Sequence, residues 1–260
     1  MQDSVSVRTP AKINLSLDIL GKRYDGYHFV RTIMQTVSLF DEITVTPNEV
    51  NEIRIFCDTP GIPCDCTNLV YKAAIAFFEH VNIQPSGIDI TINKIIPAMA
   101  GLAGGSSNAA GMIVALNELM ETELSISELC DIGEKIGADV PFCISGGTAV
   151  AEGVGDILNQ LPSIPDCHIL IVKPDINIST PEAYSKFDAL EYTKSSEYED
   201  LVAAIAMQDL EKISGLLFNA LEYAADNSEI FKIKEEMLEM GALGALMSGS
   251  GSAVYGIFEK

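Results

Sequence analysis

One stretch of the chain, residues 97–110 with the sequence PAMAGLAGGSSNAA, constrains the fold more than any other. Its glycines and alanines allow the backbone to bend sharply and to approach a ligand closely. Apolar residues then recur at helical spacing over 109–120, so a helix follows the loop. We expect Ser106 or Ser107 to cap that helix. The free N–H groups and aligned peptide dipoles at the helix N-terminus would form an anion site, for which phosphate is the natural ligand.

The loop differs from two common glycine-rich nucleotide loops. No lysine follows its glycines, as a Walker A loop requires, and the Gly-x-Gly-x-x-Gly spacing of a Rossmann fingerprint is absent. Taken alone, the loop therefore has two interpretations. It is either a phosphate cradle or a tight strand-to-helix turn that binds no ligand.

The charge of the chain restricts its partners. With a formal net charge of −21 and a pI near 4.3, it is poorly suited to nucleic acid or an anionic membrane, and we expect neither as a partner. Phosphates would have to be bound by local features such as a helix N-terminus, a lysine or a divalent cation. The 260 residues, 48% of them hydrophobic, are enough for one large domain or two small ones.

Targeting and redox signals indicate a cytoplasmic protein. No apolar run approaches the length of a membrane span, and the N-terminal segment MQDSVSVRTPAK lacks a signal-peptide pattern. The six cysteines are scattered without a C-x-x-C pair. This distribution indicates reduced thiols rather than a zinc site.

Alternation of polar and aliphatic residues predicts a strand over residues 5–20. The period of two places Lys12, Asn14 and Ser16 on one face and the aliphatic residues on the other, which faces the core. The polar face is either a solvated sheet surface or the floor of a cleft. Spacing alone favours the solvated surface.

The rest of the first half alternates strands and helices. Thr67 is expected to cap one helix, and Ser125 with Glu128 forms a capping box that begins another, which ends at Gly137. Gly146-Gly147 is expected to join two strands. Strands are predicted near residues 30–39, 43–46, 53–57, 88–92 and 148–151.

Three further candidate residues lie at turns. Asp25-Gly26 is a turn signal that presents Tyr27 and His28 at the start of a strand, where such an aromatic pair usually packs. Asp139 lies between a helix end and Pro141, on a segment that the proline makes rigid. Its carboxylate either caps a turn or takes part in chemistry, and local sequence leaves both readings open.

The second half is richer in helices. Thr180 is expected to be the N-cap of a helix that carries Tyr184. Helices are predicted over 197–225 and 227–240, and strands over 168–173, 242–247 and 253–258. The Gly/Ser segment 248–252 joins the last two strands, either as a plain turn or as a second wall near the phosphates.

Five stretches, taken in order, resemble the GHMP small-molecule kinases. They are PAKINL (10–15), DGYH (25–28), the loop 97–107, GADVP (137–141) and SGSG (248–251). The match covers nearly the whole chain. The resemblance implies an α+β, two-lobed GHMP kinase fold, with an N-terminal lobe like the second domain of ribosomal protein S5 and a ferredoxin-like C-terminal lobe. The implied domains are residues 1–156 and 157–260, with the active site in the cleft between them.

The same resemblance implies an activity. It is the ATP-dependent phosphorylation of the 2-hydroxyl of 4-diphosphocytidyl-2-C-methyl-D-erythritol in the non-mevalonate isoprenoid pathway, with Mg²⁺ as cofactor and a cytidine diphosphate as small-molecule substrate. We expect a monomer or weak homodimer. Two alternatives remain: another GHMP kinase of the mevalonate or homoserine type, or a non-catalytic nucleotide-binding protein.

Site residues follow from the matched motifs. The resemblance implies that Lys12 and Asp139 act at the reacting hydroxyl, with Asp139 as general base and Lys12 stabilising charge. As a metal contact, the resemblance implies only Ser107, to Mg²⁺, and it assigns no other metal ligands. The implied substrate-binding residues are Asn14, Tyr27, His28, Thr180 and Tyr184. The implied ATP-binding residues are Pro97, Ala98, Met99, Ala100, Gly101, Leu102, Ala103, Gly104, Gly105, Ser106 and Ser107.

The chain departs from the family pattern at two places. Met99 and Ala100 precede Gly101, and Ala103 stands where glycine is common. Residues with a Cβ strongly prefer negative φ, so we expect no left-handed geometry at these positions. The chain also stops shortly after its last predicted strand, where family members usually continue, which would leave an exposed edge strand.

Overall fold

The computed structural model describes residues 3–191 and 194–260. Its strands are β1 (Val5–Lys22), β2 (His28–Pro47), β3 (Ile53–Phe56), β4 (Ile88–Asn93), β5 (Thr148–Glu152), β6 (Ile157–Leu161), β7 (His168–Val172), β8 (Phe218–Asn219), β9 (Gly244–Met247) and β10 (Val254–Phe258). Its helices are α1 (Leu69–His80), α2 (Gly104–Leu119), α3 (Ile126–Glu134), α4 (Val140–Ser145), α5 (Thr180–Asp188), α6 (Tyr198–Ala206), α7 (Leu210–Gly215), α8 (Ala220–Ala225) and α9 (Ser228–Glu239).

The chain divides into two compact units. The first contains residues up to 11, 37–98 and 103–146. In it, β3 pairs in parallel with β4, and β4 pairs antiparallel with the second half of β2. Helices α1 to α4 contribute apolar side chains to a core shared with these strands. Representative members of that core are Ile43, Phe77, Ile90, Leu116 and Val140.

The second unit contains residues 12–36, 99–102 and 147–260. In it, β8 pairs in parallel with β1, β5 pairs antiparallel with β2, and β6 extends β5. A separate three-stranded antiparallel sheet has the order β7-β10-β9. One core of this unit includes Leu17, Ile178, Leu221, Met247 and Val254. The division predicted at residue 156 stays a prediction.

Strand β1 covers the predicted strand, but its polar face is not solvated. Lys12, Asn14 and Ser16 are only 5%, 2% and 0% exposed, so both faces of the strand are buried. The expectation of a solvated surface was wrong because Lys12 and Asn14 find hydrogen-bond partners inside the protein.

Strand β2 runs without interruption through the position where two strands were predicted. The predicted break lay at Asp41, which is fully buried. Its carboxylate accepts hydrogen bonds from the backbone N–H groups of Ile95 and Ile96, at 2.6 and 2.7 Å, and from Asn108 Nδ2 at 2.8 Å. The residue therefore needs no solvent-exposed turn.

Helix boundaries differ from prediction where short polar residues compete for the caps. Asn68 caps α1 because the hydroxyl of Thr67 donates instead to Asp65. Ser179 rather than Thr180 caps α5. The capping box of Ser125 and Glu128 is present at α3, which confirms that prediction.

The predicted helix over 197–225 is broken into α6, α7 and α8. Gln208 has a φ of 58°, and Asp209 then caps α7 through a bond from Lys212 N at 3.0 Å. Asn219 caps α8 directly after β8 pairs with β1. Gly146-Gly147 likewise joins α4 to β5, and not two strands as expected. Among the described residues, no helix is long and apolar enough to cross a bilayer.

Candidate active site

The glycine-rich loop enters α2 through strained backbone rather than through a serine cap. Ala103 is the N-cap with a φ of 55°, and its side chain makes no cap hydrogen bond. Met99 also has a positive φ, of 51°, so the expectation for these two residues was wrong. The Ala103 carbonyl accepts the first helical bond, from Ser107 N at 2.8 Å, but from a left-handed backbone where an N-cap residue is usually extended.

Neither serine caps the helix. Ser107 is 1% exposed, and its hydroxyl donates to the Pro10 carbonyl at 2.6 Å. Near the start of α2 lies the ammonium of Lys94, which is bonded to Asp41 and, at 2.8 Å, to the Ile96 carbonyl. A Cβ at Gly104 would lie 2.8 Å from this ammonium, so a side chain there would displace Lys94.

The apex of the loop, residues 99–102, contacts the Gly/Ser segment 248–252. Ser248 Oγ donates to the Gly101 carbonyl at 2.9 Å. Just beyond the segment, Ala253 N donates to the Ala100 carbonyl at 3.1 Å. These bonds hold the Gly/Ser segment against the apex of the loop, and its predicted role as a second wall near the phosphates stays a prediction.

Lys12 and Asn14 lie beside the same apex. Lys12 N donates to the Leu102 carbonyl at 3.2 Å, and Lys12 Nζ donates to Asn14 Oδ1 at 2.7 Å. A Cβ at Gly249 would lie 3.3 Å from both side-chain atoms. The structure thus brings the predicted residues Lys12 and Asn14 together with the middle of the predicted ATP loop.

Tyr255 anchors the backbone of Asn14 through a hydrogen bond. Its hydroxyl donates to the Asn14 carbonyl at 2.8 Å, and its side chain is fully buried. Burial raises the pKa of the Tyr255 hydroxyl well above its ordinary value, with a smaller contribution from Glu222. The hydroxyl therefore stays protonated and able to donate at any pH that the fold tolerates.

Asp139 lies in the first unit, immediately before α4. It is half-buried and occupies the N-cap position, yet its carboxylate makes no cap hydrogen bond to α4. The carboxylate of Asp139 therefore does not cap α4.

His28 and Tyr184, two of the residues predicted for the cytosine pocket, stack on each other. Their ring centroids are 4.8 Å apart with an interplanar angle of 27°. His28 Nε2 lies 2.7 Å from Asp188 Oδ1. Hydrogen bonds from Lys22 and then His28 lower the pKa of the Asp188 carboxyl. Tyr27 is 67% exposed at the predicted turn.

Thr180 contacts the Gly/Ser segment, since its Oγ1 lies 3.1 Å from Ser250 Oγ. Sequence reasoning missed Asp188 as the partner of His28. A signal for it existed, because Tyr184 and Asp188 are four residues apart on α5 and hence on one helical face.

Metal ligands and disulfides are not apparent among the residues described. Within 3–191 and 194–260, no group of three or more His, Cys, Asp or Glu side chains could hold a metal ion. Cys57, Cys64, Cys66, Cys130, Cys143 and Cys167 are all free thiols.

Comparison with known proteins places the chain in a family. Residues 68–147 match the GHMP kinases N terminal domain, and residues 200–260 match the GHMP kinases C terminal domain. The chain is 44% identical to the 4-diphosphocytidyl-2-C-methyl-D-erythritol kinase of Lachnoclostridium phytofermentans over 99% of its own length and 89% of the relative.

Solved structures agree with this placement. A crystal structure of 4-(cytidine 5'-diphospho)-2C-methyl-D-erythritol kinase superposes with a TM-score of 0.81 and 32% identity, over 97% of this chain and 90% of that one. The homoserine kinase of Cytophaga hutchinsonii superposes with a TM-score of 0.78, over 100% of this chain and 86% of that one, but at 22% identity it shows only the shared fold. The predicted GHMP kinase fold is therefore confirmed, and the chain belongs to the GHMP kinase family.

Proposed function

We propose that this chain is a 4-diphosphocytidyl-2-C-methyl-D-erythritol kinase. It would transfer the γ-phosphoryl group of ATP to the 2-hydroxyl of that substrate, a step of the non-mevalonate route to isoprenoid precursors. The observation that carries this proposal is the 44% identity to a kinase of this name along 99% of the chain.

The loop of residues 97–107 is the proposed binding site for the ATP phosphates. Its support is the start of α2 at Gly104, where unpaired backbone N–H groups and the helix dipole favour an anion. Glycine at positions 101 and 104 permits close packing of the backbone there. ATP use itself follows from membership of the family.

Mg²⁺ is proposed as the cofactor, carried mainly by the phosphates of ATP. Mg²⁺ usually keeps several waters and binds through one or two protein oxygens plus substrate phosphates, so it does not need a protein cage. Ser107 Oγ uses its proton toward Pro10, which leaves its lone pairs as acceptors. It is the protein atom we propose as a contact. Bound Mg²⁺ would neutralise charge on the transferred group.

Asp139 and Lys12 are the proposed catalytic residues. Asp139 would accept the proton of the substrate hydroxyl, a role worth on the order of 10²–10⁴ in rate for a well-placed base. Lys12 would stabilise negative charge that develops on the phosphoryl group. Support comes from the matched motifs PAKINL and GADVP that contain these two residues, and from the buried ammonium of Lys12 beside the loop apex.

The cytidine group is proposed to bind at Tyr27, His28 and Tyr184. The stacked rings of His28 and Tyr184 already provide a flat aromatic surface, and the exposed Tyr27 ring is free to cover a base. Asn14 and Thr180 are proposed to bind polar groups of the substrate. Their positions beside Lys12 and Ser250 support this assignment.

A substrate panel tests the activity. Purified protein with ATP and Mg²⁺ is assayed for ADP release with the cytidine substrate, mevalonate and homoserine. Turnover with the cytidine substrate alone is expected. Turnover with mevalonate or homoserine instead would identify another GHMP kinase, and ATP binding without any turnover would indicate a non-catalytic protein.

Two substitutions test the proposed catalytic residues. Asp139→Asn keeps the shape of the side chain and should lower kcat at least 100-fold if the carboxylate is the base. Lys12→Met keeps the aliphatic stem in the buried strand and removes the charge, and we expect a similar loss. Wild-type kcat in either folded variant would reduce that residue to a structural role.

A further inference from the structure

We propose that Thr32 is a positioning residue for Lys12 and acts through the side-chain amide of Asn14. The inference rests on the proposed function insofar as Lys12 is taken to act at the reacting hydroxyl. Thr32 lies in β2, is 4% exposed, and belongs to no motif that identified the family.

The hydrogen bonds around Thr32 have only one consistent set of directions. Thr32 Oγ1 lies 2.5 Å from the Ser16 carbonyl oxygen, which can only accept, so the single Thr32 hydroxyl proton is directed there. The Thr32 oxygen can then only accept from Asn14, at 2.8 Å, and the group that Asn14 presents to it must be Nδ2.

The orientation of the Asn14 amide is therefore fixed without reference to Lys12. With Nδ2 turned to Thr32, Oδ1 is turned to the ammonium of Lys12, 2.7 Å away, which can only donate. The series runs from a backbone carbonyl through a hydroxyl and an amide to a charged amine. Each member is buried, so water is not at hand to replace a lost partner.

Through this arrangement, the Thr32 hydroxyl influences the position of the Lys12 ammonium by way of Asn14. A lysine side chain has four rotatable bonds, and Asn14 Oδ1 is one acceptor that defines where its ammonium lies. Without the Thr32 hydroxyl, the amide of Asn14 loses the acceptor for Nδ2. The amide is then free to turn its donors toward Lys12, and two donors would face each other.

Thr32→Val tests the proposal because valine keeps the branched shape and removes only the hydroxyl. We expect kcat to fall 10- to 100-fold, while the KM for ATP stays within about twofold and the fold is retained. Thr32→Ser restores the hydroxyl and should recover kcat to within about threefold of wild type. Equal kcat in Thr32→Val and wild type would overturn the proposal.

Thr148→Val is the matched control. Thr148 is also buried, at 1% exposure, and its hydroxyl donates to a side-chain amide oxygen, Gln35 Oε1, at 2.6 Å. Thr148→Val therefore also removes a buried hydrogen bond between a threonine hydroxyl and a side-chain amide, in a strand paired with β2. We expect unchanged kcat in this variant, so a comparable fall would show that any buried threonine bond matters equally and would overturn the specific role of Thr32.

A double-mutant cycle with Asn14 separates positioning from general destabilisation. If Thr32 acts through Asn14, Thr32→Val should change kcat less than twofold in an Asn14→Ala background. A further 10-fold loss in the double variant would mean that Thr32 acts independently of Asn14, and the proposal would fail.

An NMR readout keeps this test separate from the identity of the reaction. The side-chain NH₂ signals of Asn14, assigned by their loss in Asn14→Ala, should have the same chemical shifts in wild type and Thr32→Ser. They should move in Thr32→Val, where Nδ2 loses its acceptor, and unchanged shifts in that variant would refute the positioning. If wild-type protein shows no turnover with the cytidine substrate, the proposed function fails while these signals still decide the role of Thr32.

Discussion

The backbone of Gly101 passes so close to that of Ser248 that a Cβ built at Gly101 would lie 1.9 Å from the Ser248 carbonyl oxygen. Gly101 also has a φ of +72°, in the region that side chains disfavour. In return, Ser248 Oγ donates to the Gly101 carbonyl at 2.9 Å. The apex of the proposed ATP loop is therefore held against the Gly/Ser segment by contacts that leave no room for a side chain.

Gly101→Ala should accordingly separate these two segments. We expect a loss of about 2 kcal/mol or more in the free energy of unfolding, from the left-handed backbone together with the clash. The kcat/KM for ATP should fall at least about tenfold, or roughly 1.4 kcal/mol. Denaturant unfolding and steady-state kinetics measure both.

Gly215→Ala is the control for that variant, since a Cβ there meets nothing within 4 Å and the residue ends α7. Its stability should be unchanged or up to about 1 kcal/mol higher. A Gly101→Ala protein as stable and active as Gly215→Ala would contradict the close contact at Ser248.

We expect Asn219 to stabilise the start of the Gly/Ser segment 248–252. Its Nδ2 donates to the carbonyls of Met247 and Gly249, both at 2.8 Å, while its Oδ1 caps α8 by accepting from Leu221 N. Asn219→Ala should cost about 2–4 kcal/mol, because it removes a cap and two buried hydrogen bonds to backbone carbonyls. The KM for ATP should also rise.

Asn227→Ala provides a matched comparison for Asn219. Asn227 caps α9 by accepting from Glu229 N at 2.9 Å, and this bond is exposed. Its loss should cost about 1 kcal/mol and leave the KM for ATP unchanged. Similar stability losses in the two variants, measured by urea unfolding, would show that Asn219 acts only as a cap.

Asp41 should be among the most sensitive positions in the first unit. It is fully buried and pairs with Lys94, whose side chain is only 5% exposed. Asp41→Asn leaves the Lys94 ammonium buried without its counter-charge, and we expect a loss of about 3–5 kcal/mol. Asp41→Asn combined with Lys94→Met removes both charges and should regain part of that loss. A single variant that loses less than about 1 kcal/mol would contradict this account.

Because the pKa of the Asp188 carboxyl is lowered, we expect the stability of the protein to depend on pH. Its pKa is lowered in the folded protein, so it contributes stability above its ordinary pKa of about 4 and loses that contribution as the pH falls through the lowered value. Wild type should therefore exceed Asp188→Asn in stability at pH 7 by about 0.5–1 kcal/mol, a modest value because Lys22 is largely exposed.

Thermal unfolding of the two proteins from pH 7 down to pH 3 measures this difference, which should hold down to about pH 5 and then shrink as the pH falls further. A difference that is constant across this range would contradict the assignment. Since Asp188 also bonds His28, the KM for the cytidine substrate should rise in Asp188→Asn.

Local sequence patterns predicted those elements that depend on residues close together in the sequence. Alternation predicted β1, and Ser125 with Glu128 predicted the start of α3, because strand faces and capping boxes depend on neighbours in the chain. Prediction failed where hydrogen-bond partners that are distant in the sequence determine the local structure. The carboxylate of Asp41 looked like a turn residue, and its donors come from residues 94–96 and 108.

The candidate site shows the same dependence on distant contacts. The matched motifs predicted Lys12, His28 and Tyr184. No pattern in β1 or β2, however, indicates that the strand face that carries Lys12 and Asn14 is buried. The left-handed backbone of Ala103 was also unpredictable from its residue type, which resists that geometry. Tertiary bonding of the loop overrides that preference.

The hydrogen bond from Tyr255 to the Asn14 carbonyl joins residues 241 positions apart in the sequence. At translation rates of about 5–20 residues per second, the ribosome needs roughly 10–50 s after making Asn14 before it adds Tyr255. Throughout that interval the strand that carries Lys12 lacks its final support. A nascent polypeptide therefore reaches a competent arrangement around Lys12 only after Tyr255 has been synthesised.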